Sequence, residues 1–157
     1  MSGPEGGYLL DTSVLSAAAP DRRGVTPDEA KERARAWLLR HDDRLYLSAV
    51  ALGETAAGIG LLDARPPSAG GARTAALAAW LGALLTRRAG RILAFDAACA
   101  AEMRHAVRDA RRANVEPTFP DLAIAATARR HGLVVATRDL RDFALLGVRA
   151  VDPYAAE

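Results

Sequence analysis

Short runs of consecutive apolar residues alternate along the chain with longer stretches in which apolar residues recur every three or four positions. The short runs predict buried strands at Tyr8–Leu10, Leu45–Leu47, Ile92–Phe95, Leu133–Ala136 and Val148–Val151. Because the first four runs are apolar throughout, both faces of the strands are expected to be covered, as in a parallel sheet. The pattern predicts an α/β protein, a three-layer α/β/α sandwich with a central parallel sheet. The protein is expected to form one domain over residues 1–157, in which residues 1–7 are a flexible tail.

Helices are predicted between the strands by their apolar stripes and by residues typical of helix ends. The predicted starts are Thr26 as an N-cap with Pro27 in the first position, Ser48, Asp96 and Pro120. The helix that Ser48 caps is predicted to span residues 49–62. Two more helices are predicted at 73–87 and 138–143, and Arg65 to Gly71 is predicted to be a loop. The helix after Asp96 is expected to turn four side chains inward, namely Cys99, Met103, Val107 and Ala110.

Composition narrows the class of protein. The 157 residues are 50% hydrophobic and 25% charged, which is typical of one soluble globular domain. The single cysteine, Cys99, excludes an internal disulfide and a thiolate zinc cluster, and the three histidines are too scattered for a local metal motif. The start of the chain lacks a signal-peptide pattern, and the longest nearly apolar run, Ala75 to Leu85, is too short for a membrane span. We therefore expect a cytoplasmic protein without a membrane partner.

The positive charge is almost entirely arginine. Lys+Arg is 21 for a net charge of +2, and Lys31 is the sole lysine. Guanidinium groups suit bidentate contacts with phosphate, but an Arg- and Ala-rich composition produces the same bias without any nucleic acid. Arg138 and Arg141, which flank Asp139, are the candidate phosphate contacts.

Acidic residues follow four of the predicted strands. They are Asp11, Glu54, Asp96 and Asp139. The carboxyl ends of parallel strands lie at one edge of a sheet, so these side chains are expected to converge there. Asp11, Asp96 and Asp139 have an alternative interpretation as helix N-caps.

Glu54 and Asp121 are less easily explained as structural residues. Glu54 shares a helical stripe with Val50, Ala57 and Leu61, so it is expected to face the sheet, where a core salt bridge to an arginine is the alternative. Asp121 lies in the first turn of its helix, where the helix dipole favours an acidic residue. The dipole does not explain why the Asp121 side chain is expected to face inward. Crowded carboxylates need a cation to stay ionised, and oxygen ligands without Cys or His favour Mg²⁺ or Mn²⁺. This predicts metal-assisted phosphoester chemistry.

Several phrases of the sequence together resemble the PIN-domain family, and more closely its VapC/FitB-type ribonuclease toxins. The phrases, in chain order, are Leu9–Leu15, Tyr46–Val50 leading to Gly53-Glu54, Arg91–Asp96, Pro120–Ala128, and Ala136–Asp139 with Asp142-Phe143. The resemblance covers nearly the whole chain, from Tyr8 to Pro153. It implies a PIN-like fold and a Mg²⁺- or Mn²⁺-dependent endoribonuclease of a type II toxin–antitoxin module.

The resemblance also implies roles for individual residues. The acidic quartet that holds the metal and carries catalysis falls on Asp11, Glu54, Asp121 and Asp139. Ser13, Asp96 and Thr137 are implied to support the quartet or to serve as minor ligands. Family members cleave RNA to leave 5′-phosphate and 3′-hydroxyl ends. They usually form homodimers and are inhibited by a cognate antitoxin protein.

Three alternative functions were compared with the sequence. A catalytically degenerate PIN module would act as a scaffold that binds nucleic acid or a partner, although an intact quartet argues against it. An aspartyl-phosphate phosphatase would need a second Asp two positions after Asp11, where Ser13 stands. A receiver-type phospho-acceptor would need a lysine near the last strands, and this chain has none there.

Overall fold

Five short parallel strands form the centre of the protein, whose computed structural model describes residues 6–66 and 70–155. The strands are β1 (Tyr8–Leu10), β2 (Leu45–Ser48), β3 (Ile92–Leu93), β4 (Val134–Ala136) and β5 (Ala150–Val151). Their order across the sheet is β3-β2-β1-β4-β5, and every neighbouring pair is parallel. The predicted parallel sheet is therefore confirmed.

Seven α-helices within the described residues connect and cover the strands. They are α1 (Thr12–Leu15), α2 (Glu29–Arg40), α3 (Ala49–Asp63), α4 (Gly71–Arg87), α5 (Ala97–Arg112), α6 (Phe119–His131) and α7 (Leu140–Leu145). From β1 the chain moves outward to β2 and β3, and then crosses back to β4 on the other side of β1. Because parallel crossovers are right-handed, this reversal places helices on both faces of the sheet. The predicted three-layer α/β/α sandwich is confirmed.

Side-chain caps set most of the helix starts. The Ser48 hydroxyl accepts hydrogen bonds from the Val50 and Ala51 amides, and the Asp96 carboxylate accepts one from the Cys99 amide. Both predicted N-caps are thus confirmed. The prediction of Thr26 as an N-cap was wrong, because Asp28 caps α2 by accepting from the Lys31 amide at 2.8 Å. The capping carboxylate lies one residue after the proline instead of before it.

Other predicted boundaries shifted for identifiable reasons. β3 stops at Leu93, before the predicted Phe95, because its partner β2 ends at Ser48 where the chain turns into α3. α7 begins at Leu140, two residues later than predicted. α4 begins at Gly71 in the predicted loop, of which residues 67–69 lie outside the described residues.

The inward face of α5 differs from the predicted one. Val107 is 42% exposed, whereas Cys99, Ala106 and Ala110 are buried. Small side chains on this face allow α5 to pack closely on α6, in which every residue from Ala123 to Ala128 is buried. α6 therefore has a fully buried middle section, and its first turn carries Asp121.

The packed fold begins before β1. Gly7 is buried, its carbonyl accepts from the Val134 amide at 3.1 Å, and a Cβ atom there would lie 2.9 Å from the Tyr46 ring. Gly6 and Gly7 therefore belong to the fold, contrary to the predicted tail, while residues 1–5 of that prediction lie outside the described residues. Among the helices of the described ranges, none is long and apolar enough to cross a membrane.

Candidate active site

Asp11 lies at the centre of the carboxyl edge of the sheet. It directly follows β1, the strand on whose two sides the chain places β2 and β4. This reversal of strand order is the point at which open parallel sheets form a ligand crevice. The Asp11 residue is only 6% exposed, and its carboxylate caps α1 by accepting from the Thr12 amide at 2.7 Å. Its capping role and its place in the crevice are therefore compatible.

Two hydroxyl groups hold the other oxygen of Asp11. Ser13 Oγ donates to Oδ2 at 2.8 Å, and Thr137 Oγ1, on a fully buried side chain, donates to the same atom at 2.9 Å. Thr137 Oγ1 in turn accepts from the Asp139 amide at 3.0 Å, and Ser13 Oγ accepts from the Arg138 amide at 3.2 Å. Ser13 and Thr137 thus tie the start of α1 to the segment after β4, which carries Asp139.

Glu54 approaches this edge from α3. Its Oε2 accepts a hydrogen bond from Thr12 Oγ1 at 2.5 Å, so the residue next to Asp11 also holds Glu54. The expected stripe on α3 was wrong in its later part, because Ala57 is exposed and Leu61 is 72% exposed. The α3 residues that are buried are Ala51, Leu52 and Ile59. Glu54 is half-buried at the border of that face and bonds to a threonine, with no arginine bound to it in the described chain.

Asp121 is held by the N-cap of its own helix. Thr118 Oγ1 donates to Asp121 Oδ2 at 2.6 Å and accepts from the Asp121 amide at 3.3 Å. This reciprocal pair resembles a capping box and turns the carboxylate back toward the start of α6. Three residues of the same helix, Ile124, Ala125 and Ala128, are buried.

The pKa of the Asp139 carboxyl is affected by neighbouring acidic groups. Asp139 is exposed as a residue, but partial burial of its carboxyl group raises the pKa. The charges of Asp11, Asp142 and Asp121 raise it further, while Arg138 has a smaller opposing effect. Although Asp139 stands at the N-cap position of α7, its side chain makes no capping hydrogen bond. The N-cap alternative therefore does not explain this residue.

A carboxylate elsewhere in the chain provides a contrast. Hydrogen bonds from Arg35 and Lys31 lower the pKa of Asp21 to about 2. No ion pair formed within the described residues involves Asp11, Glu54, Asp121 or Asp139. In the part of the chain that the structure describes, Asp11, Glu54 and Asp121 thus bond to hydroxyl or amide groups, and no arginine or lysine forms an ion pair with any of the four carboxylates.

Within the described residues, the acidic side chains are not arranged around one metal-binding position. Within residues 6–66 and 70–155, no three acidic, histidine or cysteine side chains are placed so as to hold one metal ion. Glu54 and Asp121 each have one carboxylate oxygen bonded to a threonine hydroxyl, from Thr12 and Thr118 respectively. The donor set, all carboxylate oxygen and without a compensating cation, is nevertheless of the kind that Mg²⁺ or Mn²⁺ prefers.

The remaining predicted residues lie in different surroundings. Asp96 bonds to the start of α5, and its pKa is lowered chiefly by the Cys99 amide, so its contacts explain it as a helix cap. Arg138 is exposed and lies over the Tyr154 ring, 4.7 Å from its centroid. Arg141 is exposed in the first turn of α7.

Three contributing residues were missed from sequence. They are Thr12, Thr118 and Tyr154, whose hydroxyl donates to the Ser13 carbonyl at 2.8 Å. Thr118 could have been found from the spacing Thr118-Phe-Pro-Asp121, which has the form of a capping box. No local signal marks Thr12 or Tyr154, because their partners are 42 and 141 residues away.

Known proteins match this chain over nearly its whole length. The PIN domain profile matches residues 8–148, a span that contains all four carboxylates. The chain is 36% identical over 149 residues to Toxin FitB of Neisseria gonorrhoeae, covering 93% of this chain and 97% of that protein. It is 31% identical over 150 residues to VapC ribonuclease Y4jK of Sinorhizobium fredii, covering 93% and 96%. The crystal structure of FitAcB from Neisseria gonorrhoeae aligns with a TM-score of 0.78 at 34% identity, covering 95% of this chain and 99% of that chain.

Proposed function

The chain belongs to the PIN-domain family, and from this membership and its acidic site we propose that it is a Mg²⁺- or Mn²⁺-dependent endoribonuclease, the toxin of a type II toxin–antitoxin pair. Its similarity to a VapC ribonuclease and to Toxin FitB extends over nearly the full length of all three proteins. Substrate class and biological role are therefore carried over from proteins that share the whole domain.

The uncompensated acidic edge of the sheet carries the proposal. Burial, together with the charges of Asp11, Asp142 and Asp121, raises the pKa of Asp139. Within the described residues, no ion pair involves Asp11, Asp121 or Asp139. Several carboxylates that must remain ionised at neutral pH need a positive charge from outside the chain. A divalent ion satisfies this need and also brings the chemistry of phosphoester hydrolysis.

Asp11, Glu54, Asp121 and Asp139 would hold the ion. When bound, Mg²⁺ or Mn²⁺ would supply Lewis-acid chemistry, namely a more acidic water and stabilisation of negative charge on the phosphate and the leaving oxygen. In the hydrolysis that we propose, the water oxygen forms a bond to phosphorus and the bond from phosphorus to the 3′ oxygen breaks. The water loses one proton and the 3′ oxygen gains one, which leaves 5′-phosphate and 3′-hydroxyl ends.

Neighbouring residues position these groups. Ser13 and Thr137 keep the Asp11 carboxylate in one orientation, because both donate to its Oδ2 atom. Thr137 also holds the Asp139 backbone. Arg138 and Arg141 flank Asp139 in the sequence, and we propose that their guanidinium groups contact RNA phosphates.

A groove between α2 and α4 is the proposed antitoxin site. It has a volume of about 600 Å³ and an apolar floor that includes Leu15, Leu38, Trp80 and Leu84. Leu39 on its border is 78% exposed. A partner segment with apolar side chains fits such a surface.

The outer half of α3 is the proposed surface for a second copy of the chain. Ala57 and Leu61 are exposed there beyond Glu54, and an apolar strip of this kind is typical of homodimer interfaces. Light scattering of the purified protein tests this expectation, and a monomeric mass contradicts it.

Digestion of cellular RNA tests the main proposal. We expect cleavage with Mg²⁺ or Mn²⁺ and none with EDTA, and we expect Asp11→Asn to be inactive. Glu54→Gln should reduce cleavage by about 100-fold or more, because it removes a metal-binding charge. Asp63→Asn, on the same helix but exposed and outside the acidic edge, is the matched control and should cleave normally.

The outcomes separate the alternatives. Cleavage that survives both EDTA and Asp11→Asn contradicts the metal mechanism. Absence of cleavage on every RNA, with a folded protein, favours the scaffold function. Circular dichroism of Glu54→Gln and Asp121→Asn distinguishes lost chemistry from lost structure.

A further inference from the structure

Phe119 presents a large apolar surface to solvent beside the acidic site. Its side chain is 60% exposed, and it is the one aromatic residue among the exposed large hydrophobic residues of the described chain. Core packing does not account for a phenyl ring in this position. The ring is therefore available to a ligand or partner.

The ring is also held in a defined orientation. Phe95, which is half-buried in the link between β3 and α5, contacts it edge to face, with ring centroids 5.9 Å apart and an interplanar angle of 83°. Thr118 precedes Phe119 as the N-cap of α6, and Pro120 follows it with a restricted backbone. An aromatic surface that is oriented before binding loses little conformational entropy when a second ring stacks on it.

Phe119 lies within one helical turn of a proposed metal-binding residue. It is two residues before Asp121, about 3 Å along the axis of α6. Thr118, directly before Phe119, donates to the Asp121 carboxylate at 2.6 Å, and Phe95, which contacts the ring, lies two residues after the end of β3. Phe119 therefore lies at the carboxyl edge of the sheet, where Asp11 also lies. A polynucleotide whose phosphate reaches that edge brings an adjacent base to the rim where Phe119 lies.

We propose that Phe119 is a base-stacking residue for the nucleotide next to the scissile phosphate, and that it contributes to the choice of cleavage site. Unpaired RNA bases are commonly recognised by stacking on exposed aromatic side chains. The inference rests on the proposed ribonuclease function and adds a contact with a single base. Phe95 supports the ring from the side that faces the protein.

A pool of single-stranded RNA 20-mers of random sequence tests the proposal, because it offers every base at each position beside a cut. The pool is digested with wild type, Phe119→Ala, Phe119→Leu and Phe119→Tyr in Mg²⁺, and both new ends are sequenced. A preferred oligonucleotide from the wild-type digest is then synthesised with an abasic residue at each position flanking the cut. Circular dichroism and light scattering are recorded for each variant.

Stacking predicts a specific pattern. Phe119→Ala and Phe119→Leu should weaken the base preference at one nucleotide beside the cut and reduce kcat/KM by about 5- to 100-fold, mainly through KM. Phe119→Tyr should keep both. The abasic residue at that nucleotide should slow the wild type by a similar factor and should have little further effect on Phe119→Ala.

Four results overturn the inference. Unchanged preferences in Phe119→Ala and Phe119→Leu, with normal cleavage, refute stacking and leave the ribonuclease proposal intact. Retention of preference by Phe119→Leu shows an apolar contact that does not need an aromatic ring. A change of oligomeric mass in place of base preference shows that protein covers the ring. If the wild type cleaves no RNA, the proposed function fails and this inference fails with it.

Discussion

Replacing Thr137 by valine removes one hydroxyl from the centre of the site while keeping the shape of the side chain. In the wild type this fully buried hydroxyl donates to Asp11 Oδ2 at 2.9 Å and accepts from the Asp139 amide at 3.0 Å. Asp11 is itself buried, so the lost donor is not readily replaced by water. Both the stability of the fold and the position of Asp11 should therefore depend on this group.

The expected magnitude follows from these contacts. A hydrogen bond to a charged group contributes about 1.5–3 kcal/mol, and loss of the acceptor for the exposed Asp139 adds about 1 kcal/mol. The additional methyl group offsets about 0.8 kcal/mol. We expect Thr137→Val to lose about 2–3 kcal/mol, or about 4–12 °C in Tm for a domain of this size. Metal affinity should fall by about 10- to 100-fold, because Asp11 loses part of its support.

Urea and thermal unfolding in EDTA measure the stability, and calorimetric titration with Mn²⁺ measures the metal affinity. Thr137→Ser is the matched control, since it keeps the hydroxyl and loses only a methyl group, at a cost of about 1 kcal/mol. If Thr137→Val is no less stable than Thr137→Ser and binds Mn²⁺ equally well, the hydroxyl does not have the role that we assign to it.

Three further predictions concern separate parts of the molecule. Burial and neighbouring carboxylates raise the folded-state pKa of Asp139, so ionisation of this group destabilises the metal-free fold at pH values above that pKa. Asp139→Asn should therefore raise the Tm in EDTA at pH 7, with a gain that disappears as the pH falls below the unfolded value of about 3.9; an equal gain at all pH values would contradict this cause. Asp28→Ala should cost about 1 kcal/mol by removing the cap of α2, whereas Asp28→Asn should change the unfolding free energy by a few tenths, and equal losses in urea unfolding would count against capping. Tyr154→Phe should cost about 1 kcal/mol because the bond to the Ser13 carbonyl is lost, and an unchanged urea midpoint would show that water replaces it.

Local patterns were sufficient for the secondary structure. Strands were found because they are continuous apolar runs, and Ser48 and Asp96 were recognised as caps because capping acts over two or three residues. One error was local, because two residues near the start of α2, Thr26 and Asp28, are both of the capping type and Asp28 is the cap. Another arose where a non-local partner sets the boundary. β3 ends early because β2 provides no further backbone to pair with after Ser48.

The acidic edge was predictable in its composition but not in its contacts. Asp11 and Asp139 follow strands. A parallel sheet places such residues at one edge, whatever the order of the strands across the sheet. Ser13 and Thr137, whose hydroxyl groups bond to Asp11, were implied only by the family resemblance. The hydroxyl group that bonds to Glu54 could not be inferred, because serine and threonine are frequent and have no periodic signal. Thr12 was missed for this reason.

The sequence alone determined the class of fold, the succession of strands and helices, and which carboxylates follow the strands, because each of these depends on residues within a few positions of one another. Only the tertiary structure decided that Thr137 bonds to Asp11 across 126 residues and that Phe119 remains exposed against Phe95. Such contacts depend on the order of strands in the sheet and on the packing of helices over it. These are properties of the whole folded chain, and no short segment contains them.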